Sequence, residues 1–201
     1  MIEEFEFSMT CCNARKGCEV RVEGVELQEH EEKCKHRMVP CPSTNCVKKI
    51  EVTELWKHLD ANHAPRLCSN EKQTWRVTHA ALSLVNRNII GISFMEKEGE
   101  RFFLQSVKRE NVFMAWVKME GSRREAGKWK FSIEVGDEEE MVISRHGSVY
   151  SVDMSLDEVL EARAYLVLGN NQARRIMRGK HEGDPISVLG NIKIQFIVEK
   201  K

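Results

Sequence analysis

No stretch of 18 consecutive apolar residues occurs in these 201 residues, and Met1 to Thr10 carry no basic, apolar leader pattern. Neither a membrane span nor a secretion signal is expected, so the sequence points to an intracellular protein, cytoplasmic and/or nuclear, with no membrane partner. Charge of one sign is lacking as well: 31 Lys and Arg balance 31 Asp and Glu. The first 70 residues hold 10 basic and 12 acidic side chains, net −2, which leaves +2 for the remainder. Neither part is a basic arm, which gives no support for binding to nucleic acid or membrane by bulk electrostatics. Low-complexity segments are also missing.

Against these absences stands a concentration of cysteine and histidine between Cys11 and His63. Taking Cys11 as the first ligand, six residues separate it from Cys18, eleven follow to His30, and three more to Cys34. The pattern then repeats: four residues between Cys41 and Cys46, eleven to His58, four to His63. Two tandem units, each a cysteine knuckle followed by a helical ligand pair, form a zinc-finger pattern. Zinc takes four nitrogen or sulfur ligands in a tetrahedron. The knuckle, punctuated by Gly17 in one unit and by Pro42 and Asn45 in the other, supplies two of them from one side. His30 and Cys34 are four apart, hence on one face of a helix spanning Val25 to Cys34. Thr53 is read as the N-cap of the second helix, with Leu55 and Leu59 turned inward beside His58. That helix should end at His63, before Pro65. Cys11 and Cys12 compete for the first position, and spacing does not choose between them. The expected metal sites are thus Cys11, Cys18, His30 and Cys34, then Cys41, Cys46, His58 and His63. They imply two structural Zn2+ ions per chain, with no ligand position left open for catalysis. Thiols in metal spacing suit a reducing compartment better than disulfides do.

Beyond a break at residues 64–70 the apolar period changes from 3.6 to two. Trp129, Phe131, Ile133 and Val135 alternate with Lys130, Ser132 and Glu134. Ile192, Ile194, Phe196 and Val198 form a similar set near the C-terminus. Further strands are expected over Ile89–Met95, Arg101–Lys108, Val112–Met119, Met141–Arg145, Ser148–Asp153 and Tyr165–Leu168. One helix interrupts them, announced by the capping box of Ser155 and Glu158, and a short one is expected at Gln172–Met177. Seven or eight short strands at this spacing argue for an antiparallel β-sandwich. The expected organisation is an α+β tandem-finger module over residues 1–66 and a mainly-β sandwich over 67–201.

Both parts together resemble the seven-in-absentia (SIAH/Sina) ubiquitin ligases in the region that follows their RING, and more broadly the TRAF-type zinc finger joined to a TRAF-like sandwich. Residues 11–18 (CCNARKGC), 26–30 (ELQEH), 41–46 (CPSTNC) and 58–63 (HLDANH) carry the likeness in the fingers. Residues 117–126 (VKMEGSRREA), 131–135 (FSIEV) and 155–168 carry it in the sandwich. About 190 residues are covered, and the fingers are the specific part. The family's first knuckle has six residues between its cysteines, which favours Cys11 over Cys12. The resemblance implies a non-catalytic, homodimeric recognition domain that takes short extended peptides at a sheet edge. It also implies protein partners from the ubiquitin machinery. It places the groove near Ile89–Met95, with Ile90, Ile92 and Phe94 on one face. No RING precedes the fingers in this chain, so recruitment of a ubiquitin-conjugating enzyme is not expected of it. The turn between Lys108 and Val112 is also shorter than the family's.

The rival class is a nucleic-acid-binding zinc finger. Such a finger needs basic and amide side chains at the start of its helix. Here the second helix opens Thr53-Glu54-Leu55-Trp56-Lys57, and the first carries Glu26, Glu29, Glu31 and Glu32, whose carboxylates repel phosphate. Nucleic acid is therefore not an expected partner. An enzyme would need a nucleophile beside a base, yet Cys68, His79, His146 and His181 are isolated in sequence. Arg123-Arg124 and Arg174-Arg175 read as solvated spots, and Trp116 and Trp129 as core.

Overall fold

A computed structural model of the chain describes residues 8–43, 46–63, 66–67, 73–77, 93–136, 141–173 and 192–201. The first knuckle is bracketed by β1 (Ser8–Thr10) and β2 (Arg21–Glu23), which pair antiparallel. Between them a tight 3-10 turn, Ala14–Lys16, closes on Gly17 at φ 102°, a left-handed conformation that only glycine holds without strain. Helix α1 (Gly24–Lys33) follows. The second unit pairs β3 (Met38–Pro40) with β4 (Lys49–Glu51), then runs through a 3-10 turn, Val52–Glu54, into α2 (Leu55–His63).

Two local expectations are corrected. Cys34 lies one residue past the end of α1, at an extended ψ of 128°, rather than within the helix. That backbone change lets the chain turn off toward the second unit while the thiol stays 3.7 Å from that of Cys11. Thr53 is not an N-cap: it sits inside the 3-10 turn, its hydroxyl 3.4 Å from the Glu51 carboxylate. Burial of Val52, whose N–H donates to the Arg37 carbonyl at 3.0 Å, starts the turn ahead of it.

The β-rich part comprises β5 (Arg66–Leu67), β6 (Gln73–Val77), β7 (Ser93–Lys97), β8 (Glu100–Arg109), β9 (Val112–Met119), α3 (Arg123–Ala126), β10 (Trp129–Gly136), β11 (Met141–Ser148), β12 (Tyr150–Ser151), α4 (Leu156–Ala162), β13 (Leu166–Gly169) and β14 (Ile192–Lys200). A four-stranded sheet has the order β11-β10-β14-β6. A six-stranded sheet has the order β12-β9-β8-β7-β5, with β13 also on β9. Pairing is antiparallel except for β5 with β7 and β12 with β9. The fold is mixed α+β with mainly antiparallel sheets. Two-residue turns join β7 to β8 and β8 to β9. In the first, Glu98 and Gly99 both take positive φ, the geometry that matches the twist of a hairpin. Strands expected at Met141–Arg145 and Ser148–Asp153 are instead one eight-residue strand, β11, followed by the two residues of β12.

Alternation decides how the sheets meet. In the four-stranded sheet Phe131, Ile133 and Val135 sit opposite Val198, Phe196 and Ile194, all buried on one face. That face shares a core with Phe102, Leu104, Phe113, Val117 and Met119 of the six-stranded sheet. The rings of Phe102 and Trp129 meet edge to face across it at 4.8 Å. Strands β8 and β9 break the alternation, being buried almost continuously, as strands covered on both faces are. Over Phe103 of β8 the second cover is the second finger. Val39, Val52, Leu55 and Leu59 of that finger form one cluster with Phe94, Phe103 and Val152.

Two capping boxes start α3 and α4. Ser155 and Glu158 exchange hydrogen bonds at α4, as expected. Ser122 and Glu125 do the same at α3, which the Ser-x-x-Glu spacing could have revealed.

Candidate metal centres and the finger–sheet junction

The knuckles and helices bring the eight anticipated residues into two sets. The ligand atoms of Cys11, Cys18, His30 and Cys34 lie within 4.8 Å of one another, and so do those of Cys41, Cys46, His58 and His63. The edges of these sets can be compared with a tetrahedron. With sulfur about 2.3 Å and nitrogen about 2.0–2.1 Å from a common centre, S···S edges are about 3.8 Å, S···N about 3.6 Å and N···N about 3.3 Å. Cys11 Sγ and Cys34 Sγ are 3.7 Å apart; Cys18 Sγ and His30 Nε2, 3.2 Å. In the second set Cys41 Sγ to His63 Nε2 is 3.4 Å, Cys46 Sγ to His58 Nε2 is 3.6 Å, and the two Nε2 atoms are 3.2 Å apart. An S···S distance of 3.7 Å is far too long for a disulfide. The three-sulfur, one-nitrogen and two-sulfur, two-nitrogen donor sets are those that structural zinc takes.

Neighbours hold these ligands in place. The Asn13 N–H reaches Cys11 Sγ at 3.4 Å, and the Ser43 N–H reaches Cys41 Sγ at the same distance, two residues on in both knuckles. Asn62 Nδ2 lies 3.3 Å from Nδ1 of His58, the ring nitrogen not turned to the cluster. Burial opposes ionisation of Cys11, but the Asn13 N–H and the neighbouring thiols outweigh it and bring its pKa down. Burial pushes Cys34 up to about 11 and Cys41 up to about 12. Burial also lowers His63, with the His58 ring and Lys48 acting in the same direction. A neutral imidazole is the form that binds metal. A dication among these thiols would reverse the upward shifts by favouring the thiolates.

The geometry separates the two adjacent cysteines. Cys11 is buried within the set of four; Cys12 is exposed and lies with Cys11 and Glu31 instead. Its N–H donates to Glu31 at 2.7 Å, and desolvation together with the Glu31 carboxylate pushes its thiol up to about 11.

The peptide-groove residues fare differently. Ile90 and Ile92 lie outside the described residues. Phe94 is buried at 3% exposure with its ring 4.5 Å from that of Trp56 on α2. Its strand is paired on both sides, to β8 and to β5. Phe94 is thus corrected from a groove residue to part of the finger–sheet core. The apolar ring that the family resemblance offered to a ligand is covered by the chain's own finger. Cys68, His79 and His181 also lie outside the described residues. Trp116 and Trp129 are core, as expected, at 1% and 3% exposure.

The junction carries polar residues that alternation did not single out. Gln105 of β8 sits opposite Trp116 of β9; its Oε1 accepts from the Trp116 indole at 2.8 Å, and its Nε2 donates to the Pro42 carbonyl of the second knuckle. Lys118, at 5% exposure, donates from Nζ to the Met154 carbonyl. The signal for both was a polar side chain interrupting an apolar strand. The first finger reaches the β-rich part through Arg124 to Glu29, while Arg37, between the two units, places its Nε 3.7 Å from Asp153 Oδ2. Among the described residues no helix is long and apolar enough to cross a membrane. No protein-family model matches the chain, and no curated protein matches it.

Proposed function

We propose that this chain is a non-catalytic protein-recognition and scaffolding module in which two structural zinc ions hold the fingers and the second finger orients the β-rich part. The observation that carries this reading is the second donor set. Its four ligand atoms have tetrahedral spacing, and its helix shares a core with the sheet through Leu55, Leu59, Phe94 and Phe103. Four protein ligands around each ion leave no position for an activated water, so the metal acts by folding energy and not by chemistry. Zinc fits better than harder cations because the donors are thiolate and imidazole.

The resemblance to seven-in-absentia ligases extends the proposal. The two sheets act as a TRAF-like sandwich, the substrate-selecting part of an E3 ubiquitin ligase, that pairs with a second copy and binds short extended peptides by strand addition. In support, β11 is an outer strand of the four-stranded sheet among the described residues, and Ser144, Arg145 and His146 on it are exposed. Elemental analysis of the purified chain should return two zinc atoms, and selection from a random displayed-peptide library should enrich extended peptides with a shared motif. Clearly fewer than two zinc atoms would overturn the metal reading. No enriched motif, together with sub-micromolar nucleic-acid binding that falls steeply with salt, would overturn the recognition reading in favour of a nucleic-acid-binding finger.

A further inference from the structure

A cavity of about 240 Å3 opens between the second knuckle and the outer face of the six-stranded sheet. Gln105, Trp116 and Lys118 form its floor, Cys41 and Pro42 one wall, and the Met154–Leu156 segment the other. It is smaller than the roughly 300–1,000 Å3 typical of drug-sized sites, which suits a single side chain or a small molecule.

Its electrostatics are one-sided. Lys118 and Arg109 both line it, and among the described residues no carboxylate does. The Lys118 ammonium has three N–H groups, and its described acceptor is the Met154 carbonyl alone. Asp153 and Glu158 act on Lys118 through space, yet both are engaged elsewhere. Asp153 Oδ2 takes the Ser151 hydroxyl at 3.1 Å and faces Arg37 Nε; Glu158 takes the Ser155 N–H at 2.7 Å and Arg123 at 2.6 Å. Gln105 is spent as well, its amide shared between Pro42 and Trp116. The cationic donors that line the cavity among the described residues are therefore Lys118 and Arg109, one deep and one at the mouth. Burial holds Lys118 down at about 8, a shift that an anion in the cavity would reverse.

We propose that this cavity binds an oxyanion, a carboxylate or phosphate group on a small molecule or on one side chain of a docked peptide, with Lys118 as the inner donor and Arg109 as the outer one. The site stands apart from strand addition at a sheet edge and does not depend on it.

The test uses the zinc-loaded full chain with 15N-labelled tryptophan. Because the Trp116 indole forms part of the floor, its N–H resonance, assigned with Trp116→Phe, reports occupancy. Glutarate, inorganic phosphate, and a capped Ala-Glu-Ala peptide with its Ala-Gln-Ala counterpart are titrated at constant ionic strength. A saturable shift with at least one oxyanion probe is expected. Arg109→Gln should weaken it about tenfold and Lys118→Met should abolish it, with zinc content unchanged. Response to phosphate alone assigns the group as phosphate; response to glutarate or the Glu peptide assigns it as carboxylate. No saturable shift with any probe overturns the proposal, as does an equal shift with the Gln peptide or a shift that survives both substitutions. Arg109 is exposed, so its variant keeps the test decisive even if Lys118→Met does not fold.

Discussion

The two fingers are attached to the sheets by different physics, and that difference is measurable. Cys46→Ser removes a ligand from the second set, whose finger shares a core with Phe94, Phe103 and Val152 of the β-rich part. Those three side chains are 3%, 0% and 0% exposed. Fully burying such a side chain contributes about 1.5–3 kcal/mol, so partial loss of the finger over three of them costs ~5 kcal/mol. At roughly 2–4 °C per kcal/mol for a chain of this size, the melting temperature of the sheets should fall by ~10–20 °C. Cys18→Ser removes a ligand from the first set, whose cluster of Cys11, Cys18, Cys34 and Leu27 contains no residue of the sheets. The Arg124–Glu29 pair that links it to α3 is about 64% exposed on both sides, and such pairs contribute ~0–1 kcal/mol. The sheets should then melt within ~4 °C of the parent. Near-UV circular dichroism reports the sheets directly, since Trp116 and Trp129 are buried in them, and zinc content by elemental analysis confirms that each variant lost one ion. Equal destabilisation by both substitutions, or none by Cys46→Ser, would refute a core shared between finger and sheet.

Lys118→Met should stabilise the chain near neutral pH. The lysine sits at about 8 in the folded state against about 10.4 when unfolded, so its penalty is complete below pH 8, ~3 kcal/mol, and disappears as pH rises from 8 to about 10.4. Loss of the bond to the Met154 carbonyl returns ~1 kcal/mol, leaving a net gain of ~2 kcal/mol in denaturant melts at pH 7 and a net loss of ~1 kcal/mol above about pH 10.5. A gain independent of pH would contradict this. Gly147→Ala should cost ~1–3 kcal/mol, because its new methyl would lie 2.9 Å from Phe131 Cζ and from Ala164 Cβ; an unchanged urea midpoint would show that β11 shifts freely. Ser122→Ala should cost more than Ser155→Ala, up to ~2 kcal/mol against ~1, since Ser122 is fully buried and its cap bonds cannot be replaced by water. Thermal melts of the two variants rank them.

What could be read in the residues follows from which physical constraint was local. A tetrahedral metal site needs donors at fixed spacings within two short segments, so the juxtaposition of Cys11, Cys18, His30 and Cys34 could be anticipated, and likewise the second set. Spacing alone did not choose Cys11 over Cys12, because both close the loop, and only the family resemblance favoured Cys11; burial of one thiol and the Glu31 contact of the other separate them. Strands β10 and β14 could be read because one face meets the core and the other does not. Strands β8 and β9 were legible in extent but not in environment. Phe103 on the outer face of β8 meets a finger 40 or more residues away in sequence, and no period within the strand records that. Phe94 was misjudged for the same reason, and Thr53 because burial of Val52 outranked a good capping residue.

The same covering of β8 and β9 explains why a lysine can persist in an apolar strand. Lys118 projects to the face where the second knuckle and the Met154–Leu156 segment leave space, and Gln105 ties that knuckle to the sheet through the Pro42 carbonyl. Cys41 lines the cavity and also belongs to the donor set, so the wall of the cavity and the metal centre are one piece of chain. By linkage, an anion that binds only while this wall is docked must stabilise the docked finger, by about 2.7 kcal/mol at a hundredfold excess over its Kd. With zinc in the second set and an oxyanion in the cavity, as proposed, retention of the ion, orientation of the sheets and occupancy of the cavity would be three readings of one equilibrium. The first finger, with its cluster separate from the sheets, stands outside it.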